Sequence, residues 1–329
     1  HHDVVFQYVG SLGIQAEEHA VITEDGYILG VFRLPRRGAP VVLLQHGILS
    51  SSWFWMTNDP SIAPAIQIYN MGYDVWMPNN RGNMFSRHHT KMNCTQDKSF
   101  WDFTFSEMAR YDLPANIDHI LSVTGRQALT YVGHSEGTTQ LFAALGSGPA
   151  REALQQKINL FVALSPVAYL GHQASPILAL LSDTHIADLI NAAYPYGILS
   201  WSGFSDFGNL VCRISGGTLC KLGIDLVCGS SSNDTDPAII NISAHFPSGT
   251  SARNLNHFAQ LVLSGEFEEF DYGAGNLRVY GQKTPPRINF GGAELPVALF
   301  AGTNDDIADP EDVKRVASEL SHTLAYYRV

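Results

Sequence analysis

Gly133-His134-Ser135-Glu136-Gly137 fits the spacing G-x-S-x-G, which presents a serine hydroxyl as a nucleophile when a strand enters the turn and a helix leaves it. Both flanks have that form. Ala128–Val132 reads as a short strand, and Thr138–Leu145 begins a helix. A turn this tight forces Ser135 into a strained backbone conformation, and only glycine can flank it without a clash. The hydroxyl then stands at the carboxyl end of the sheet, over a helix N-terminus whose free N–H groups and dipole suit a developing oxyanion. A second N–H has to come from a loop after an earlier strand. His46-Gly47-Ile48 follows the apolar run Pro40–Gln45, so the two donors are assigned to the backbone N–H groups of Ile48 and Glu136. His46 precedes the nucleophile and lies in that loop, and is read as a hydrogen-bonding structural residue.

Acyl transfer by serine also needs an acid and a base, in the chain order serine, acid, histidine. The acid belongs in the loop after a late strand. Leu295–Phe300 is that strand, and its loop carries Asp305, Asp306 and Asp309. Asp305 is the expected acid, with Asp306 as the fallback; Asp309, just before Pro310, suits the cap of the next helix. The histidine that follows Asp305 in the sequence is His322. It falls in the turn between the helix Glu311–Leu320 and the strand Thr323–Val329, at the wrong end of a sheet whose catalytic groups gather at the carboxyl ends. The base is therefore expected just beyond Val329.

The elements that must position these groups alternate. Val21–Thr23 and Ile28–Leu34 flank a tight turn, Pro40–Gln45 is a strand buried on both faces, and Tyr73–Met77 is another short strand. Phe105–Thr124 has helical spacing with Pro114 as an interruption and Gly125 as C-cap, and Leu160–Leu164 is the next strand. This rhythm predicts an α/β fold with a mostly parallel sheet flanked by helices. It is lost from about Val167 to Arg287 and returns at Leu295–Phe300. The expected organisation is a core over 1–166, an inserted cap over 167–288 and the last part of the core over 289–329. Within the insertion, Pro176–Leu181 and Ile186–Ile190 could face acyl chains or pack as helical core.

Composition narrows the classes. With 31 acidic and 20 basic residues the formal charge is -11, and no Lys/Arg run reverses it, which argues against nucleic acid. No apolar stretch approaches the length of a membrane span. No H-E-x-x-H or P-loop motif calls for a metal or nucleotide, and neither a metal nor another cofactor is expected. Cys212, Cys220 and Cys228 crowd one stretch without histidines at zinc spacing, which suits one disulfide clip. Sequons begin at Asn93, Asn233 and Asn241; together with a disulfide they lean toward the secretory pathway. His1 opens the chain without Met or an apolar leader, as a processed terminus or a tag remnant does.

Across nearly its whole length the chain resembles the acid lipases, the gastric and lysosomal family of the α/β-hydrolase fold. The resemblance is carried by Thr23-Glu24-Asp25-Gly26-Tyr27-Ile28-Leu29, Leu44-Gln45-His46-Gly47, Gly72-Tyr73-Asp74-Val75-Trp76 and Asn80-Arg81-Gly82-Asn83. It continues through Glu107–Ala115, Tyr131–Ser135, Ser248-Gly249-Thr250-Ser251 and Ala308–Val313. It implies a Ser-Asp-His triad with Ser135 and Asp305, an oxyanion hole at Ile48 and Glu136, and a cap with a mobile lid. It further implies hydrolysis of triacylglycerols or cholesteryl esters at a lipid interface, at acidic pH and without a metal, in a secreted or lysosomal protein. The family's cap disulfide falls on Cys212 and Cys220, with Cys220–Cys228 as the other pairing. Two departures stand out: Glu136 occupies a position where Gln is usual, and the family's final histidine motif would begin past Val329. A small-ester carboxylesterase, or a non-catalytic lipid-binding relative if no histidine follows, are the alternative readings.

Overall fold

In the computed structural model, residues 2–146, 149–182, 192–198, 221 and 245–329 are described. Helix α1 (His2–Ser11) leads into an antiparallel hairpin of β1 (Glu17–Ile22) and β2 (Tyr27–Leu34). Its turn is closed by Thr23, whose hydroxyl donates to Asp25 at 2.6 Å and accepts from the Tyr27 N–H at 2.9 Å. β1 begins four residues earlier than the apolar pattern suggests, because Glu17 is held by Arg33 of β2 at 2.7 Å.

The parallel part starts with β3 (Val41–Gln45), all five residues of which are buried. Helix α2 (Pro64–Asn70), β4 (Asp74–Pro78) and the two-residue β5 (His88–His89) follow. Phe105–Thr124 is helical but not one regular helix. It comprises α3 (Phe105–Glu107), a π-helical turn over Met108–Asp112 and α4 (Leu113–Thr124). Pro114 explains the break, since it lacks an N–H and its ring collides with the preceding turn's carbonyl. Gly125 ends α4 at φ 67°, its N–H on the Leu121 carbonyl at 2.9 Å.

Next come β6 (Leu129–His134), α5 (Glu136–Ala144), α6 (Pro149–Lys157) and β7 (Ile158–Leu164). The described residues between β7 and β8 include α7 (Pro176–Leu181), α8 (Ala252–Ser264) and α9 (Asn276–Tyr280). The chain then forms β8 (Val297–Ala301), α10 (Pro310–Glu319) and β9 (Thr323–Arg328). The strand order is β1-β2-β4-β3-β6-β7-β8-β9, with β5 paired to β2, and every neighbour from β4 to β9 is parallel.

Alternation along the central strands divides the core in two. Leu43, Trp76 and Tyr131 point to one face, where they meet Ile117, Phe142 and Phe161. Leu44, Val75 and Val132 point to the other, against Val5, Trp55 and Ile66. Burial on both faces is what makes these strands read as unbroken apolar runs. Val167–Leu170, Phe258, Leu261 and Phe267 share the first cluster with the strands, so α8 and the stretch after β7 are packed onto the sheet itself.

Candidate active site

Ser135 lies between β6 and α5 with φ 52° and ψ −120°, a left-handed conformation that costs a non-glycine residue roughly 1–3 kcal/mol. The surroundings over-determine it. The Ser135 N–H donates to the Leu164 carbonyl of β7 at 3.0 Å, and its own carbonyl receives the Thr138 hydroxyl at 2.6 Å. That hydroxyl also accepts from the Val167 N–H at 2.9 Å, so the loop after β7 helps to hold the turn. The serine side chain makes no capping bond to the helix it precedes, which leaves Oγ to other work.

The loop after β3 is pressed against this turn. A Cβ on Gly47 would lie 3.0 Å from Ser135 Cβ and 3.2 Å from His134 Nδ1; one on Gly137 would lie 2.5 Å from the Gln45 carbonyl oxygen. Glycine at both positions brings the backbone of 45–48 to the nucleophile's side. Among the described residues, neither the Ile48 nor the Glu136 N–H has an acceptor. Two unpaired donors in the backbone beside a partly accessible serine are the arrangement that receives an oxyanion.

His46 and three asparagines fasten that loop. His46 Nε2 accepts from the Asn80 N–H at 3.1 Å and the Asn83 amide at 3.2 Å. Nδ1 therefore carries the proton and donates to the Gly47 carbonyl at 2.8 Å. Burial holds this imidazole neutral, its pKa lowered to about 4. Asn79 ties the same segment to β2 and Ser52, and Asn80 Oδ1 receives Gln45 Nε2 at 2.8 Å. No single residue type in Asn79–Asn83 announces this task in the sequence. The signal available was a polar cluster at the carboxyl end of a buried strand.

Glu136 opens α5 and is itself buried. Its Oε2 accepts from Asn80 at 3.2 Å and its Oε1 faces the amide of Asn254, on α8, at 2.5 Å. Burial pushes the carboxyl up to about 7, against the pull of those two amides.

Asp305 occupies the loop after β8, at the same edge of the sheet. Its Oδ1 accepts from the N–H groups of Ile307 and Ala308 at 3.0 and 2.8 Å, and its charge reaches His134 beside the nucleophile. The carbonyl of Asp306 takes the N–H groups of Ala174 and Ser175, while Asp309 caps α10 through the Glu311 N–H at 2.8 Å. His322 is at the opposite edge, its carbonyl bonded to the N–H of Val297 where β8 begins. Val329, by contrast, is beside the acid's loop: its carbonyl accepts from the Thr303 N–H at 2.8 Å. Asn93 is exposed, with Oδ1 on the N–H and hydroxyl of Thr95. Cys212, Cys220, Asn233 and Asn241 lie outside the described residues.

A mostly parallel sheet in this order, with a tight strand-to-helix turn at its centre, is the architecture of the α/β hydrolases. A family model described as "alpha/beta hydrolase fold" matches residues 40–329, and a "partial alpha/beta-hydrolase lipase region" matches 5–59. A thermophilic esterase from Thermogutta terrifontis shares the fold at TM-score 0.53, with 15% identity over 95% of this chain and 89% of that one. Gastric triacylglycerol lipase of Rattus norvegicus is 37% identical over 99% of this chain and 84% of its own length. Lysosomal acid lipase/cholesteryl ester hydrolase of Homo sapiens is 36% identical over 97% and 82%. The chain belongs to the acid lipase family, and with it to the carboxylic ester hydrolases. Among the described residues no helix is long and apolar enough to cross a membrane.

Proposed function

We propose that this chain hydrolyses lipid esters, triacylglycerols and cholesteryl esters, through an acyl-enzyme formed on Ser135. The observation that carries the reading is the strained Ser135 pressed against Gly47, with the N–H groups of the adjoining Ile48 and Glu136 unpaired among the described residues. Ser135 Oγ attacks the ester carbonyl while an imidazole takes its proton. The N–H groups of Ile48 and Glu136 receive the oxygen as it becomes an anion, and the alcohol leaves with the proton returned by the imidazole. Water then repeats the sequence on the acyl-enzyme. Asp305 orients the imidazole and stabilises its charged form; two backbone N–H groups on Oδ1 fix the carboxylate's direction.

The imidazole is assigned to a histidine following Val329. Among the described residues, His46 is locked as an acceptor and His322 is at the far edge, whereas β9 delivers the chain to the acid's loop. Residues 167–288 are assigned as the cap, and the lipid ester as a substrate met at an oil–water or membrane interface. A secretory destination, outside the cell or in the lysosome, agrees with the names of the gastric and lysosomal relatives and with the exposed sequon at Asn93.

The test compares this chain with one carrying about thirty further residues, the length of one more loop and helix. Emulsified long-chain triacylglycerol and a soluble short-chain ester serve as substrates. Activity on the emulsion in the longer protein alone supports the reading. Preference for the short ester points to a small-ester carboxylesterase. Full activity of the 329-residue chain, abolished by His322→Ala, refutes the assignment of the base.

A further inference from the structure

Four carboxyl groups are buried among the described residues; two of them answer to an arginine and a third to a histidine. Asp74 is bonded to Arg33 at 2.6 Å, Asp112 to Arg81 at 2.6 Å and Asp312 to His172 at 2.8 Å. Glu136 has neither, although it is next to the nucleophile. A buried carboxylate without a counter-charge is costly, and the usual response is to keep its proton.

The contacts around Glu136 suit the protonated acid. Its Oε1 lies against the Asn254 amide, which can present either its N–H or its oxygen there. Asn254 Oδ1 is a buried acceptor without a donor. With the amide turned over, Oδ1 meets Glu136 Oε1 and receives its proton.

Among the described residues no neighbour supplies the missing charge. From the π-helical turn Asp112 adds repulsion, and Arg81, which could offset it, is taken up by Asp112 and Asp25. From β6, Tyr131 gives its hydroxyl to the Gly137 carbonyl, and burial keeps it protonated. From the loop after β3, His46 reaches Asn80 and is neutral. His134, the residue before the nucleophile, is likewise held neutral by burial. From α8 and the turn before it come the uncharged Asn254 and Thr250, while Arg253 is paired with Asp102, and from α5 itself Gln140 is turned to Met108.

We propose that Glu136 is a positioning residue that serves catalysis as the neutral acid, and that its ionisation switches the oxyanion hole off on the alkaline side. This rests on the serine hydrolase reading above. The neutral acid has the shape of the glutamine that the resemblance places here, and it leaves the Glu136 N–H facing the oxyanion without opposition. The ionised form puts a negative charge on the very residue whose N–H must stabilise another. At an effective dielectric near ~20, a unit charge several ångströms from the oxyanion slows the step on the order of 10²-fold.

The direction separates this effect from the triad. A catalytic imidazole must be neutral to accept a proton, so its titration makes the rate rise with pH; ionisation of Glu136 makes it fall. Hydrolysis of a soluble short-chain ester is measured between about pH 4 and about pH 9 in the whole protein, wild type and Glu136→Gln. Infrared difference spectra of the same proteins follow the carbonyl band of a protonated carboxyl. The expected result is an alkaline limb near neutrality in the wild type that is missing in the variant. The ratio of kcat/KM at about pH 8 to that at about pH 5 should rise at least about tenfold on substitution. A protonated-carboxyl band that fades over the same range in the wild type, and is absent from Glu136→Gln, is the second expected result. An alkaline limb that survives the substitution, or no such band in the wild type on the acid side, overturns the proposal alone. Absence of hydrolysis in both proteins at every pH, with Ser135 unreactive to a fluorophosphonate, overturns the hydrolase reading and the proposal together.

Discussion

Gly137→Ala separates the stability of this fold from the precision of its site. The new Cβ would be 2.5 Å from the Gln45 carbonyl oxygen and 3.0 Å from both the Gln45 carbon and the His46 oxygen. All three are backbone atoms, so no side-chain rotation relieves the contact. To reach an ordinary separation of about 3.4 Å, the start of α5 and the end of β3 must part by about 0.9 Å. Overpacking of this kind costs roughly 1–3 kcal/mol, while alanine returns about 1 kcal/mol through helix propensity. The net loss is about 1 kcal/mol, a shift of at most a few degrees in Tm. Nothing comparable offsets the loss of rate. The displaced segment carries Ile48, and removing one oxyanion donor typically costs about 10²–10³ in kcat. In the whole protein, kcat on a soluble ester should fall on the order of 10² with KM nearly unchanged, and fluorophosphonate labelling of Ser135 should slow in parallel. A thermal melt on the same sample shows whether the fold is intact. A rate within about threefold of wild type would refute the reasoning, because the loop would then tolerate the displacement that the geometry demands.

Ser135→Ala should abolish fluorophosphonate labelling; a second labelled serine on the peptide map would displace it as nucleophile. Asp305→Asn keeps an acceptor for the N–H groups of Ile307 and Ala308, yet should lower kcat on the order of 10⁴ by orienting the imidazole wrongly; the same loss from Asp306→Asn instead would move the acid by one residue. Arg81→Met leaves Asp112 buried opposite no cation and should cost about 3–5 kcal/mol in urea unfolding, with part recovered on adding Asp112→Asn. His257, stacked on Phe105 with ring centroids 4.0 Å apart, is held by burial at a pKa of about 3, against 6.5 ordinarily. The unfolded chain therefore takes up this proton first, and stability drains away as pH falls below the ordinary value toward the lowered one. At about pH 4.5 this amounts to about 3 kcal/mol, so His257→Phe should narrow the gap between melting temperatures at neutral and acid pH, and an unchanged gap would refute the assignment.

The turn at Ser135 was legible because its signal is local: a buried strand, a glycine-flanked serine and a helix in immediate succession. The same holds for the fully buried β3 and for the loop after β8. Elements anchored by few apolar residues were harder to see. α6, Pro149–Lys157, has Leu154 as the one buried hydrophobic side chain among those described and shows no periodic stripe, while α2 is a short connector of seven residues. The π-helical turn follows from Pro114 acting on a helix that also delivers Asp112 to Arg81, a tertiary demand with no imprint on spacing. In the site, the nucleophile's turn could be read along the chain, but its supports could not. Asn80 and Asn83 on His46, Asn79 on Gly30 and Ser52, and Thr138 on Val167 join residues far apart in sequence whose types are common in any loop.

Leu49, one residue past Ile48, also sits in left-handed space, at φ 57°, and its carbonyl accepts the Ser248 N–H at 2.6 Å. Arg87 grips the other side of the same peptide segment, through the Ser248 carbonyl at 3.0 Å, while its Nε holds the Gly82 carbonyl. Ser248 is thus a strut between the chain after β3 and the chain after β4, although it is two hundred residues downstream of the former. The left-handed angle of Leu49 is unfavourable for a residue with a Cβ, and the Ser248 N–H on its carbonyl is one of the contacts that hold it. The stretch 245–250 therefore meets the peptide beside Ile48 backbone to backbone, through the Ser248 N–H on the Leu49 carbonyl.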